Sequence, residues 1–359
     1  MKKETIISNK NKIYKSSIGL RGDCLYCPLP LSIDSYFNCL TYCYHCGFRR
    51  LNRTWGEDLR PADPLSIEKK LRSSVKNTNP KSYKAWALKN KITIRLGSRS
   101  DPYQEAERHY KITRQIVKIL IKLEWSFVIQ TRFLHNLMRD MDLFFDDKKR
   151  LFVFLPVVSP GLERDWELFE RKRTTSIEKR FYIIKQLLKR GFSVGVNGEP
   201  FIPGFHDYSD FRETLLRIKD CGVKSYNVYN LHFNDLVAKN LHKIGVDIEK
   251  IWYYNQDSKW KKILKRLLQI SEKENMILGC PDFVNTGWKW KEKANTCCGI
   301  NVLAPSTFNT HHWKKRLQNG EKDWRKILQE SFQGFGDKNL AEKIIKGQET
   351  KFYTFNDVL

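Results

Sequence analysis

From about residue 90 to about residue 230 the chain repeats one pattern: a short apolar, β-branched run, then a longer amphipathic stretch. The short runs are Ile92–Leu96, Ser126–Thr131, Leu151–Val158, Phe192–Val196 and Ser225–Leu231. Each has the length and composition of a strand. Tyr110–Leu123 carries Ile112, Ile116, Val117, Ile119, Leu120 and Leu123 along one side, and Ile177–Lys189 carries Ile183, Ile184, Leu187 and Leu188. Both spacings predict helices. The second stops before Gly191, and a helix over Phe211–Asp220 stops before Gly222, where glycine ends a helix readily. Strands alternating with helices predict parallel βα units, because parallel neighbours need a crossover between them. A further strand at 31–37 brings the set to about six.

The pattern changes at both ends. Residues 1–20 are polar and are expected to be a flexible arm, within a segment 1–30 that ends in a Cys-x2-Cys knuckle. After 245 the alternation fades. A basic helix is expected over Lys259–Ser271, a loop-rich, cysteine-bearing stretch over 276–312 and basic helices over 313–345. The expected organisation is an arm (1–30), a main α/β domain (31–245) and a C-terminal extension packed on it (246–359).

Composition narrows the class. Of 359 residues 41% are hydrophobic, with 10 Trp, 15 Tyr and 21 Phe, which excludes general disorder. No apolar run approaches the roughly 20 residues of a membrane span, and Met1–Ser8 lacks a signal peptide's apolar stretch. A soluble, cytoplasmic protein with no membrane partner is expected. In that compartment thiols stay reduced, so clustered cysteines point to metal or redox chemistry.

Cys39, Cys43 and Cys46 form a Cys-x3-Cys-x2-Cys triplet. Three thiolates so spaced can each bind one iron of a [4Fe–4S] cube, leaving the fourth iron open. A zinc site completed by Cys27 or His45 is the competing reading. A second set comprises Cys24 and Cys27 near the start and Cys280, Cys297 and Cys298 near the end. Two ligands from each region would suit an auxiliary [4Fe–4S] cluster or structural zinc. Unlinked buried thiols or a catalytic cysteine are the alternatives.

Charge adds a partner. Lys and Arg number 65 against 40 Asp and Glu, a net charge of +25. Such a surplus favours a polyanion through steering and counterion release. Arg49, Arg50 and Arg53 directly follow the triplet and suit phosphates, with Trp55 placed to stack on a base. A solvated basic surface with Trp55 in the core is the alternative.

The triplet spacing is the signature of the radical S-adenosylmethionine enzymes, and the chain resembles the branch of spore photoproduct lyase and the DNA repair photolyase-like proteins. Gly97-Ser-Arg-Ser-Asp101-Pro-Tyr103, the stretch from Glu170 to Arg180, and the segment Gly191–Asp207 with its Ile-Pro-Gly-x-x-Asp ending are similar to elements of that group. The match covers roughly residues 31–235. It implies an α/β fold, an incomplete (β/α)6 TIM-like barrel with a basic, loop-rich and helical C-terminal extension. Cys39, Cys43 and Cys46 would hold the cube, whose open iron chelates S-adenosylmethionine; one electron then yields a 5′-deoxyadenosyl radical that takes hydrogen from the substrate. Ser159 and Asn197 would contact the ribose, Val194 or Val196 would pack near adenine, and Arg180 and Asp101 would belong to the cofactor site.

One departure stands out. Where spore photoproduct lyase has a hydrogen-donating cysteine this chain has Ser98, whose O–H bond is too strong for easy donation; this argues against repair of the spore lesion itself. Tyr103 is a second candidate for hydrogen relay and Cys221 a third, with plain packing the alternative for both. The implied substrate is a nucleic acid, DNA ahead of RNA, repaired or modified at a flipped or single-stranded base. A one-electron donor such as flavodoxin or ferredoxin would serve it. Modification of tRNA or a peptide is the alternative within the class. A non-catalytic, zinc-stabilised nucleic-acid-binding protein is the alternative outside it.

Overall fold

The computed structural model describes residues 13–15, 17–20, 29–47, 59–80, 83–280 and 294–295. Strand β1 (Ile18–Leu20) pairs antiparallel with β2 (Leu31–Ile33). The cysteine loop follows, bracketed by a ribbon of β3 (Tyr36–Phe37) and β4 (Arg60–Pro61). Helix α1 (Pro64–Val75) starts on Asp63, whose carboxylate accepts the Leu65 N–H at 3.0 Å, with Pro64 at the first helical position. It leads through α2 (Tyr83–Lys89) to β5 (Ile94–Leu96). Next come α3 (Glu107–Tyr110), α4 (Ile112–Lys122), β6 (Phe127–Thr131), α5 (Leu134–Met138) and β7 (Phe152–Pro156). The chain continues with α6 (Leu162–Leu168), α7 (Ile177–Lys189), β8 (Val196–Asn197), α8 (Tyr208–Asp220) and β9 (Ser225–Asn227). Helices α9 (Asp235–His242), α10 (Ile248–Tyr254) and α11 (Asp257–Lys273) precede β10 (Ile277–Gly279), and β11 (Ala294–Asn295) follows.

The strand order is β1-β2-β5-β6-β7, continued through parallel bridges Phe154–Val194 and Val157–Asn197 into β8-β9-β10-β11. From β2 onward every neighbouring pair in this series is parallel. This is the incomplete parallel barrel that the alternation and the resemblance imply.

Alternation along each strand divides two environments. Leu31, Ile33, Ile94, Leu96, Phe127, Ile129, Phe152, Phe154, Val194, Val196, Tyr226 and Leu278 join one apolar cluster with Ile116, Leu120, Leu187, Leu215 and Leu264 of the helices. The residues between them are buried yet outside that cluster, so they face the barrel interior. Among these are Ser32, Arg95, Gln130, Asn197 and Asn227, alongside Val128, Val153 and Leu155. Burial of one Leu or Phe contributes about 1.5–3 kcal/mol. A one-residue slip would exchange the two faces, so the register is strongly specified.

Three sequence expectations change here. Residues 18–20 are a sheet edge, not part of a flexible arm; backbone pairing with β2 orders them. The barrel does not end at 245, because β10 pairs with β9 in register, Leu278 opposite Tyr226, and α11 is its crossover helix. The stretch 31–37 is two strands with a turn at Asp34–Ser35, only the first of which joins the barrel.

Candidate active site

The cysteine loop lies beyond the C-terminal end of β2, where functional groups of parallel barrels gather. Asn38 and Tyr42 adopt left-handed φ values of 72° and 57°, which turn the loop twice. Gln104 fastens its start: the side-chain carbonyl accepts the Leu40 N–H at 2.8 Å and the amide donates to the Asn38 carbonyl at 3.0 Å. Further on, the Tyr44 N–H donates to the Phe169 carbonyl at 3.0 Å and the Cys46 N–H to the Cys43 carbonyl at 3.2 Å. Cys39 and Cys43 are buried and Cys46 is half-buried. Burial, aided by Asp101, pushes the Cys39 thiol up to about 11. Burial pushes Cys43 up as well; Arg132 opposes this, and Glu170, Cys46 and Cys39 add to it. The Cys43 sulfur therefore senses the charge of the other two.

Three cysteine thiols in one loop, with Cys43 in electrostatic reach of the other two, are the donor type that an iron–sulfur cube takes. Among the described residues no three His, Cys, Asp or Glu side chains converge on a position for a single metal ion.

Arg132, just past β6, ties the loop to the barrel. Its Nε donates to Glu170 at 3.2 Å, one Nη donates to the Glu199 carbonyl at 2.8 Å, and the same nitrogen lies 3.4 Å from His45 Nε2. Burial disfavours its charge, but Glu170, Cys43, Asp101 and Cys46 more than offset this and hold it protonated. His45, between two of the cysteines, is lowered to about 3 by burial and by Arg132, so it is neutral; its Nδ1 is buried without a partner. For Glu170 burial acts upward, yet Arg180 and Arg132 prevail and hold the carboxyl at about 2.

The loop after β5 is shaped by two acids, Asp34 buried and Asp101 half-buried. Asp34 Oδ1 accepts the backbone N–H groups of Ser98 and Arg99 at 2.8 Å and of Ser100 at 3.3 Å. Asp101 accepts the Thr131 hydroxyl at 2.6 Å, the Arg132 N–H at 2.7 Å and the Tyr103 N–H at 2.9 Å. Gly97 makes the turn between them at φ 81°, and a Cβ there would lie 2.4 Å from Pro102 Cδ and 3.1 Å from the Gln130 carbonyl. Gly97→Ala is therefore expected to cost about 1–3 kcal/mol, read as a lower urea midpoint with unchanged slope. A midpoint equal to the parent's would show that the turn relaxes freely.

The predicted site residues separate into groups. Ser159 and Asn197 stand at the interior ends of β7 and β8; the Ser159 hydroxyl is buried without a partner, and Asn197 Oδ1 accepts the Glu199 N–H at 3.1 Å. Ser98 is half-buried in the loop that Asp34 holds. Cys280 is buried after β10. Cys24, Cys27, Cys297, Cys298, Arg49, Arg50, Arg53 and Trp55 lie outside the described residues.

The remaining candidates are corrected by their surroundings. Val194 and Val196 belong to the helix-facing cluster, because alternation turns Asn197 inward and its neighbours out. Arg180 spends all five N–H donors on Thr175, Val157, Glu170 and Thr174, leaving none for a cofactor. Asp101 is occupied by the Tyr103 and Arg132 N–H groups and the Thr131 hydroxyl. Tyr103 is fully buried in the helix-side cluster, its hydroxyl pushed up by burial and by Asp140 and Glu107. Cys221 caps α8 ahead of β9, which places it at the N-terminal strand ends, opposite the cysteine loop. Sequence reading passed over Asp34, Gln104, Glu170's pairing and Arg95. Only Asp34, an acid directly after a strand, carried a local signal.

No family model matches the sequence. Uncharacterized proteins of Mycobacterium tuberculosis and Mycobacterium bovis are 23% identical over 223 residues, 61% of this chain; the match spans 63% of their length. Among solved structures, a cysteine-to-alanine variant of spore photoproduct lyase with dinucleoside spore photoproduct aligns with a TM-score of 0.53 at 11% identity, over 72% of this chain and 80% of that one. A second variant of that lyase, with bound AdoMet and dinucleoside spore photoproduct, gives 0.52 at 10% identity, over 70% and 76%. The chain shares the fold of spore photoproduct lyase.

Proposed function

We propose that this chain, with the fold of spore photoproduct lyase and three thiols beyond the first barrel strand, is a radical S-adenosylmethionine enzyme acting on a nucleic acid, DNA ahead of RNA. The observation that carries the reading is the position of Cys39, Cys43 and Cys46 in one tethered loop over a barrel whose interior holds buried polar side chains. Bound there, a [4Fe–4S] cluster with S-adenosylmethionine supplies one-electron cleavage of the sulfonium and a 5′-deoxyadenosyl radical.

The chain's own residues supply position and enclosure. Gln104 and the Phe169 carbonyl fix the loop over the strand ends. Arg132 places a permanent positive charge beside Cys43 and Cys46. Ser159 and Asn197 offer hydroxyl and amide groups at the mouth, where they suit a ribose. Ser98 occupies the place of the lyase's cysteine and does not return hydrogen easily, so the lesion differs from the spore photoproduct or the product radical is quenched elsewhere. The net charge of +25 suits a phosphate backbone. Flavodoxin or ferredoxin is the proposed electron donor. Among the described residues no helix is long and apolar enough to cross a membrane.

The test incubates anaerobically reconstituted full-length protein with reductant, S-adenosylmethionine and deuterated DNA, deuterated RNA or unlabelled controls. Deuterium in 5′-deoxyadenosine from the DNA arm is expected. Label from RNA alone reassigns the substrate. Absence of S-adenosylmethionine cleavage in every arm overturns the enzyme reading.

A further inference from the structure

Among the described residues Arg95 is a buried cation with no anion paired to it. It lies on the interior face of β5 and is 4% exposed. Its guanidinium donates to the Gln130 side-chain carbonyl, a neutral acceptor, and its Nε has no partner. The neighbouring arginines behave differently: Arg132 and Arg180 share Glu170. A buried charge lacking a counter-charge costs several kcal/mol, so the apo chain carries a cost at this position.

The surroundings have the same character. Asn227 Nδ2 and the Ser159 hydroxyl are also buried without partners. Among the polar residues that alternation turns inward along the strands are Ser32, Arg95, Gln130, Asn197 and Asn227; the buried carboxylate past the end of β2, Asp34, is occupied by the Ser98, Arg99 and Ser100 N–H groups and does not pair with Arg95. An interior with surplus donors and one unpaired positive charge is complementary to an oxyanion. Arg95 is in register with Val128, and Val128 with Val153, four residues ahead of the Val157–Asn197 bridge. It is thus rooted below the layer of Ser159 and Asn197.

We propose that Arg95 binds an oxyanion of the substrate, a phosphate, inside the barrel. This rests on the proposed function only in that a substrate enters there. Its test needs neither cluster nor turnover, so its failure is distinct from failure of the radical reading. Thermal unfolding of the full-length chain is followed at matched ionic strength with inorganic phosphate, thymidine 5′-monophosphate, thymidine or S-adenosylmethionine, for the parent, Arg95→Met and Arg95→Lys. At least one of the two phosphate probes should raise the parent's Tm while thymidine does not. Arg95→Met should lose that shift and, without ligand, melt at or above the parent, since an unpaired buried charge is removed. Arg95→Lys should keep the shift with affinity weakened roughly tenfold. If Arg95→Met does not fold, unchanged affinity in Arg95→Lys overturns the proposal. A folded Arg95→Met that melts well below the parent, equal shifts in parent and variant, or no shift with either phosphate probe overturn it too. A shift from S-adenosylmethionine alone assigns Arg95 to that molecule's carboxylate and overturns the assignment to substrate.

Discussion

Replacing Cys39, Cys43 and Cys46 together by alanine should remove iron from the loop and abolish reductive formation of 5′-deoxyadenosine. On the proposed assignment each thiolate would hold its own iron, and the neighbouring groups cannot replace three thiolates: His45 offers one imidazole at most, and Arg132 has no acceptor atom. The fold should persist. The loop is fixed by Gln104 and the Phe169 carbonyl, neither of which bonds a cysteine side chain. Far-ultraviolet circular dichroism close to the parent's, with iron and cleavage both lost, is the expected pair of results. Continued cleavage in the triple variant would end the assignment of this loop as the cluster site.

Glu170→Leu should be among the most damaging single changes in the protein. The carboxylate is 1% exposed and stands between Arg180 and Arg132. Removing it strands the buried guanidinium of Arg180 and the half-buried one of Arg132, at a cost of about 3–5 kcal/mol, a large part of a typical domain's total. The Tm should fall steeply, and adding Arg180→Met should recover part of the loss. A Tm unchanged from the parent would show that water solvates the arginines. The same carboxyl sets an acid limb. Its folded pKa, about 2, lies below its usual 4.5. The contribution is therefore complete above the unfolded value and is lost as pH falls from about 4.5 towards 2, worth about 3 kcal/mol. Glu170→Gln should be less stable at neutral pH and lose less over that interval. Parallel acid limbs in the two proteins would contradict the assignment.

The sequence by itself determined what is local. Three thiols within eight residues lie in one loop whatever the rest of the chain does. The helices at 177–189 and 208–220 appear close to where apolar spacing puts them, because the period of an amphipathic helix is written into a single segment. Alternation of strand and helix was enough for the parallel order of the strands. The tertiary structure decided everything that depends on direction across the sheet. Strands β8, β9 and β10 have two or three residues, too few to display a period. Only their packing shows that Val194 and Val196 face helices while Asn197 and Asn227 face the interior. It likewise decided that Arg180 is fully spent on Glu170, the Thr174 hydroxyl and backbone carbonyls, and that Cys221 sits at the far end of the barrel. Arg95 reads in sequence as one of 65 basic residues. Its burial without a counter-charge exists only once β5 is enclosed between β2 and β6, because desolvation is a property of the assembled sheet and not of the strand.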